Sequence, residues 1–157
     1  MDHLLENVAF SPLEITSPAF SHMGNIPILY TGEGCNINPP LQIKKIPEGT
    51  KSLVVIVDDP DAKGRAWAHW VVWNIPPVEF IAPNSVPGIV GVNDSTRQNY
   101  DGPCPPSGLH HYHFKVYALN QMLSIKSHSR KQDIEEAIKP FIIGFGEIVG
   151  VYQRTFI

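Results

Sequence analysis

Three segments of the sequence gather side chains able to hold a polar ligand: Asp59-Pro60-Asp61, His69, and His110 with Tyr112. Imidazole N–H groups and a phenol O–H can donate to phosphate or carboxylate oxygens, and a carboxylate can orient a histidine or receive a ligand ammonium. The set therefore suits a small anion. The same side chains are metal-capable, and His111-x-His113 would put two imidazoles on one strand face, but no dense ligand motif accompanies them. Hydrolysis is the third chemistry open to these residues. Ser107 lies close to His110 in sequence, yet there is no Gly-x-Ser-x-Gly elbow and no nucleophile with an evident activating base. Each residue also has a plainer reading. A strand histidine beside tryptophans is commonly a core residue with one satisfied hydrogen bond, and Asp-Pro-Asp is first of all a turn.

These residues fall at strand ends. Leu53 to Val57 is a β-branched run apolar on both faces and stopped by Pro60, which reads as a central strand. Ala68 to Ile75 reads as a second strand, with His69, Val71, Trp73 and Ile75 expected on one face and Ala68, Trp70, Val72 and Asn74 on the other. His110 to Leu119 is a third, with His110, Tyr112, Phe114, Val116 and Ala118 sharing a face. If the first two strands are antiparallel, the exit of one lies beside the entry of the other, so Asp59 approaches His69 and a pocket at one sheet edge can draw on all three segments. Trp67, Trp70 and Trp73 all read as mainly core, with Trp67 the first candidate of the three to face a pocket. Weaker strand candidates are Ile26 to Tyr30, Gly88 to Val92 and Glu147 to Thr155. The helix signal is confined to Arg130 to Ile138, with Ser129 as its expected cap and Pro140 as its stop.

With 157 residues, 43% of them hydrophobic and 17% charged, the chain is expected to form one domain with its own core, spanning residues 1–157. Fifteen prolines and 12 glycines disfavour a helical bundle and point to short strands joined by turns, a mostly β fold with a small peripheral helix. A net charge of −3 without a long basic run leaves no footprint for nucleic acid, and no apolar run is long enough to span a membrane. The N-terminus has no signal-peptide pattern, so the expected location is the cytoplasm, where Cys35 and Cys104 would remain thiols. Asn93-Asp94-Ser95 matches a glycosylation sequon that carries no weight without secretion.

Asp59-Pro60-Asp61-Ala62, Ala66-Trp67-Ala68-His69-Trp70-Val71-Val72-Trp73-Asn74-Ile75-Pro76 and Gly102-Pro103-Cys104-Pro105-Pro106-Ser107-Gly108-Leu109-His110-His111-Tyr112 resemble the two signatures of the phosphatidylethanolamine-binding protein family in its bacterial and archaeal branch. Tyr30 to Asn36, Pro39-Pro40-Leu41 and Gly150 to Arg154 resemble its flanking segments. The resemblance implies a β-sheet sandwich with a small pocket for phosphate-like anions, including the phosphoethanolamine headgroup. Carried over by motif, Asp59, His69, His110 and Tyr112 line it, Trp67 and the Gly102-Pro103 backbone stand near its wall, and Asp61 holds the loop. The family includes kinase regulators, protease inhibitors and plant signalling proteins, which implies a possible kinase or protease partner. The expected function is a non-catalytic module for a small phosphate- or carboxylate-bearing ligand, without cofactor or resident metal. Two residues depart from the family pattern: Lys63 replaces a proline, and Ile43 stands where an aromatic often follows Pro-Pro-Leu. Two histidines facing one anion also imply binding that tightens as pH falls.

Overall fold

The computed structural model describes residues 3–155. In chain order its strands are β1 (Ser11–Pro12), β2 (Glu14–Thr16), β3 (Leu41–Lys44), β4 (Ser52–Asp59), β5 (Trp67–Ile75), β6 (Phe80–Ile81), β7 (Ile89–Val90), β8 (Leu109–Leu119) and β9 (Ile142–Gln153), with helix α1 (Lys131–Ile138) before β9. They form a six-stranded sheet in the order β1-β9-β8-β4-β5-β7 and a three-stranded sheet in the order β2-β3-β6.

Strand β4 is buried along its whole length because it is apolar on both faces. Leu53, Val55 and Val57 join Leu41, Ile43 and Ile81 in the core between the sheets. Val54 and Ile56 pack on the opposite face with Leu4, Leu5 and with Ile134 and Ile138 of α1. Each such aliphatic side chain contributes about 1.5–3 kcal/mol on burial. The order of layers is thus small sheet, large sheet, helix, and the residues of β4 alternate between the two cores as strand geometry requires.

Strand β5 breaks that alternation. Antiparallel to β4, it pairs Val57 with Trp70 but Asp58 with Ala68, so one residue, His69, is inserted without a partner. This is a β-bulge, and it puts consecutive residues on one side of the strand. Trp70 and Val72 face the core between the sheets, Ala68, Val71 and Trp73 face the helix side, and the His69 ring meets Tyr112 of the inter-sheet side at 5.2 Å. His69 therefore does not share a face with Val71 and Trp73 as strict alternation predicts. A second register shift, beside Asn74 at φ +54°, moves Ile75 away from Trp73 as well. Asn74 closes that irregularity by bonding both the N–H and the carbonyl of Leu123.

Strand β8 keeps the expected faces, with Tyr112, Phe114, Val116 and Ala118 in the inter-sheet core and Tyr117 opposite. Ile26 to Tyr30 is not a strand: Asn25 makes an isolated bridge to Val151, and Ile28–Tyr30 is a 3-10 turn after Pro27. Gly88 to Val92 contributes only the two residues of β7, and β9 starts earlier than Glu147, at Ile142. Ser129 does not cap α1. Its hydroxyl bonds back to the Lys126 carbonyl at 2.6 Å, and the first turn is closed by Asp133 Oδ2 accepting the Arg130 N–H at 2.9 Å.

Candidate functional site

Where β4 ends and β5 and β8 begin, the sheet edge opens into a cavity of about 560 Å³. Asp59, Trp67, His69, His110 and Tyr112, which sequence reasoning nominated from separate segments, all line it, and so does Gly102. Pro103 does not. It is buried behind the wall, with its carbonyl accepting the Gly32 N–H at 2.9 Å. Trp67 is half-buried on the cavity, whereas Trp70 and Trp73 are core.

Asp59 is 3% exposed, and a carboxylate so enclosed must find donors. Its Oδ2 lies 2.6 Å from His110 Nδ1 and its Oδ1 accepts the Asp61 N–H at 2.8 Å, so one side chain both orients a histidine and folds the turn after Pro60. Asp61 also lines the cavity but is taken up by a different histidine. Its Oδ2 accepts the backbone N–H of His111 at 2.8 Å and meets the His111 ring at 2.7 Å, tying the loop to the start of β8. The His111 contact holds the Asp61 carboxyl below the usual aspartate range.

His69 reaches the cavity from the bulge, and its Nδ1 lies 2.6 Å from the carbonyl oxygen of Asp101. Asp101 is fixed in turn by Ser95 Oγ donating to Oδ2 at 2.6 Å and Asn36 Nδ2 donating to Oδ1 at 3.2 Å. Burial pushes the His69 imidazole below its ordinary pKa despite the nearby Asp101 and Asp59. The Tyr112 ring is 1% exposed and packs edge-on to His69 and stacked at 6.5 Å from His110. Burial first, and then the negative charge of Asp59, push its hydroxyl pKa up, so it remains an O–H donor.

Sequence reasoning missed Asp101, Ser95 and Asn36. Asn36 Oδ1 accepts the Gly102 N–H at 2.6 Å, so the Gly102 amide is already occupied. A glycine is required there because a Cβ would collide with the Tyr30 carbonyl and sit 2.8 Å from Asn36 Oδ1. Lys63 lines the cavity as an exposed cation, while Ile43 is fully buried in the inter-sheet core and does not contribute to it. Asn93 of the sequon is wholly buried, donating to the Asn99 carbonyl at 2.9 Å. Both cysteines are free and exposed. His111 and His113 each face a carboxylate of their own, Asp61 and Glu147, and no group of three or more metal-capable side chains is gathered among the described residues. Nor is any described helix long and apolar enough to cross a membrane.

A two-layer β fold whose main sheet closes at one edge around a histidine-lined cavity defines a ligand-binding class of protein. The model of the phosphatidylethanolamine-binding protein family matches residues 16–153, and the chain belongs to that family. A UPF0098 protein of Pyrococcus abyssi is 47% identical over 150 residues, covering 88% of this chain and 84% of its own length. A UPF0098 protein of Methanothermobacter thermautotrophicus is 40% identical over 150 residues, covering 90% and 99%. The crystal structure of a phosphatidylethanolamine-binding protein homologue of Chlamydia trachomatis superposes with a TM-score of 0.87 at 36% identity, covering 91% of this chain and 98% of that one. Escherichia coli YbcL, described as a member of the mammalian family, superposes with a TM-score of 0.85 at 32% identity, covering 92% and 100%. These relatives place the chain in the bacterial and archaeal branch.

Proposed function

We propose that the chain is a non-catalytic binder of small phosphate- or carboxylate-bearing anions. The observation that carries this reading is the Tyr112 hydroxyl. It has no hydrogen-bond partner among the described residues, and it is not one of the sealed polar atoms, so it opens on the cavity between two imidazoles. A hydrogen bond from it to a charged ligand oxygen, formed in exchange for water, is worth about 1.5–3 kcal/mol. The three cavity carboxylates are already engaged, by His110, by His111 and by Ser95 with Asn36, while Lys63 adds an exposed cation. The phosphoethanolamine headgroup fits this donor set, as the relatives' family name suggests. The two exposed thiols support a reducing compartment, the cytoplasm.

One observation favours a second reading, hydrolysis: the Asp59–His110 pair has the form of an orienter and a base, and Ser107 also lines the cavity. Ser107 makes no hydrogen bond to either imidazole, so binding without turnover remains the proposal. Among the described residues, no surface feature singles out a kinase or a protease as partner.

Titrating the chain with phosphoethanolamine, acetate and zinc while following histidine NMR resonances tests the proposal. Shifts at His69 and His110 with the two anions are expected. Resonances unmoved by either anion would overturn it, as would response to zinc alone. Release of alcohol from an activated ester, abolished by Ser107→Ala, would establish the hydrolytic reading instead.

A further inference from the structure

The two faces of the cavity offer a ligand opposite hydrogen-bonding roles. The Asp101 carbonyl can only accept, so the His69 nitrogen 2.6 Å from it, Nδ1, carries the ring proton. The other nitrogen, Nε2, then bears a lone pair while the ring is neutral, and burial keeps the ring neutral further into acid than an ordinary histidine. Among the described residues Nε2 has no partner, and the Trp73 indole is the only sealed side-chain polar atom without one, so Nε2 opens on the cavity. Beside it stands Tyr112, a donor without a partner. A ligand therefore meets an acceptor from β5 and a donor from β8.

A phosphodiester whose substituents carry no N–H or O–H has only acceptors to offer. Its oxygens satisfy Tyr112 but confront the His69 lone pair, leaving an acceptor against an acceptor in a desolvated site. A phosphomonoester or inorganic phosphate in its monoanionic form has one P–O–H besides its acceptors, and can serve both groups at once.

We infer that the cavity selects a phosphate carrying its own proton, a soluble phosphomonoester or inorganic phosphate, over a phosphodiester, through a hydrogen bond from the ligand to His69 Nε2. This rests on the anion-binding reading and sharpens it, since a diester phosphate lacks that proton and a phospholipid could meet Nε2 only through a donor elsewhere in its headgroup. The remaining groups around the cavity do not discriminate in this way. Asp59 is held by His110 and by the Asp61 amide, and Asp61 by His111. The Asp101 carboxylate takes Ser95 and Asn36, and Cys104 accepts from Arg154 at 2.9 Å. Lys63 attracts any anion of equal charge alike. His110 is the exception: with Nδ1 facing Asp59, its Nε2 could take the same ligand proton, so an ester preference that survives His69→Leu would assign the selection to His110 and overturn the inference.

The test compares methyl phosphate with dimethyl phosphate by calorimetry from pH 5.5 to 8, with phosphatidylcholine vesicles, a diester headgroup without an N–H donor, as a third probe. Near pH 5.5 most of the monoester is singly charged, its second ionisation falling near 6, so the two esters carry nearly the same charge and differ in the proton. Methyl phosphate should bind at least about tenfold more tightly there, the size of one hydrogen bond to a charged group. Its affinity should fall as the pH rises and that proton is lost, while dimethyl phosphate stays weak throughout and vesicles fail to compete. Nitrogen-15 spectra of the unmodified chain should show His69 protonated at Nδ1 and bare at Nε2. His69→Leu should bring the two esters to parity. Equal affinities in the unmodified chain, a proton on Nε2 of the free protein, or vesicles that displace methyl phosphate would overturn the inference while leaving anion binding intact. Failure of both esters to bind at any pH would remove the anion-binding reading and the inference together.

Discussion

Asp58 and Asp59 are consecutive residues of β4, yet they serve opposite sides of the main sheet. Asp59 meets His110 in the cavity, and Asp58 Oδ2 meets Lys131 at 2.7 Å and Lys115 at 3.2 Å on the helix side. One carboxylate is committed to the site and its neighbour to the attachment of α1. The two substitutions should accordingly separate function from stability. Asp58→Asn removes the carboxylate that two lysines, each 17% exposed, share. It should cost about 2–3 kcal/mol, less than for a fully enclosed pair. Urea unfolding should show that loss while phosphate affinity stays unchanged. Asp59→Asn should show the reverse emphasis, with affinity weakened as the His110 ring loses its orienting partner.

His110→Ala removes one of the two imidazoles that face Tyr112. Phosphoethanolamine binding should weaken by about 1–3 kcal/mol, the range for hydrogen bonds to charged groups. Calorimetry on a variant with an unaltered melting profile reads this directly, and unchanged affinity would remove His110 from the site.

Lys63 acts from an exposed loop, through a field that salt can screen. Lys63→Pro should therefore flatten the dependence of anion affinity on ionic strength and have its largest effect at low salt. Coincident salt series for the two proteins would show that Lys63 is only a solvated loop residue.

The depressed pKa of His69 has a consequence for stability. An imidazole buried in its neutral form binds fewer protons folded than unfolded, so its contribution is complete above the unfolded value near 6.5. That contribution drains away as the pH falls from there through the lower folded value. In the unliganded chain, urea midpoints should decline below pH 6.5 more steeply than in His69→Phe. Parallel declines for the two proteins would show that ring 69 takes up its proton as readily folded as unfolded.

Much of this architecture can be read from residue patterns, and the exceptions have identifiable causes. Strands β4 and β8 are long, β-branched or aromatic, and periodic, so their faces were plain. The three-stranded sheet escaped notice because its strands hold two to four residues, too few to establish a period. The start of β9 was hidden by Gly144 and Gly146, since glycine is depleted in strands. They are there because a Cβ on Gly146 would press on Leu13 and one on Gly144 on Pro47 and Ala118. Motif resemblance named Asp59, His69, His110 and Tyr112, all of which line the cavity, but the support of His69 came from a backbone carbonyl, which any residue type could supply at position 101. The face of His69 was misassigned because a period of two cannot register an inserted residue.

That inserted residue makes the cavity depend on length as well as composition. Deleting any one position between Ala68 and Trp70 would let the β4–β5 ladder run regularly, and the chain would lose its imidazole acceptor without losing a strand. Conversely, every aliphatic residue of β5 could be exchanged for another of similar size while the numbering is kept, and ring 69 would still arrive opposite Tyr112. For anyone transplanting this site to another sheet, the specification to copy is a spacing: three residues on one strand where its neighbour spends two.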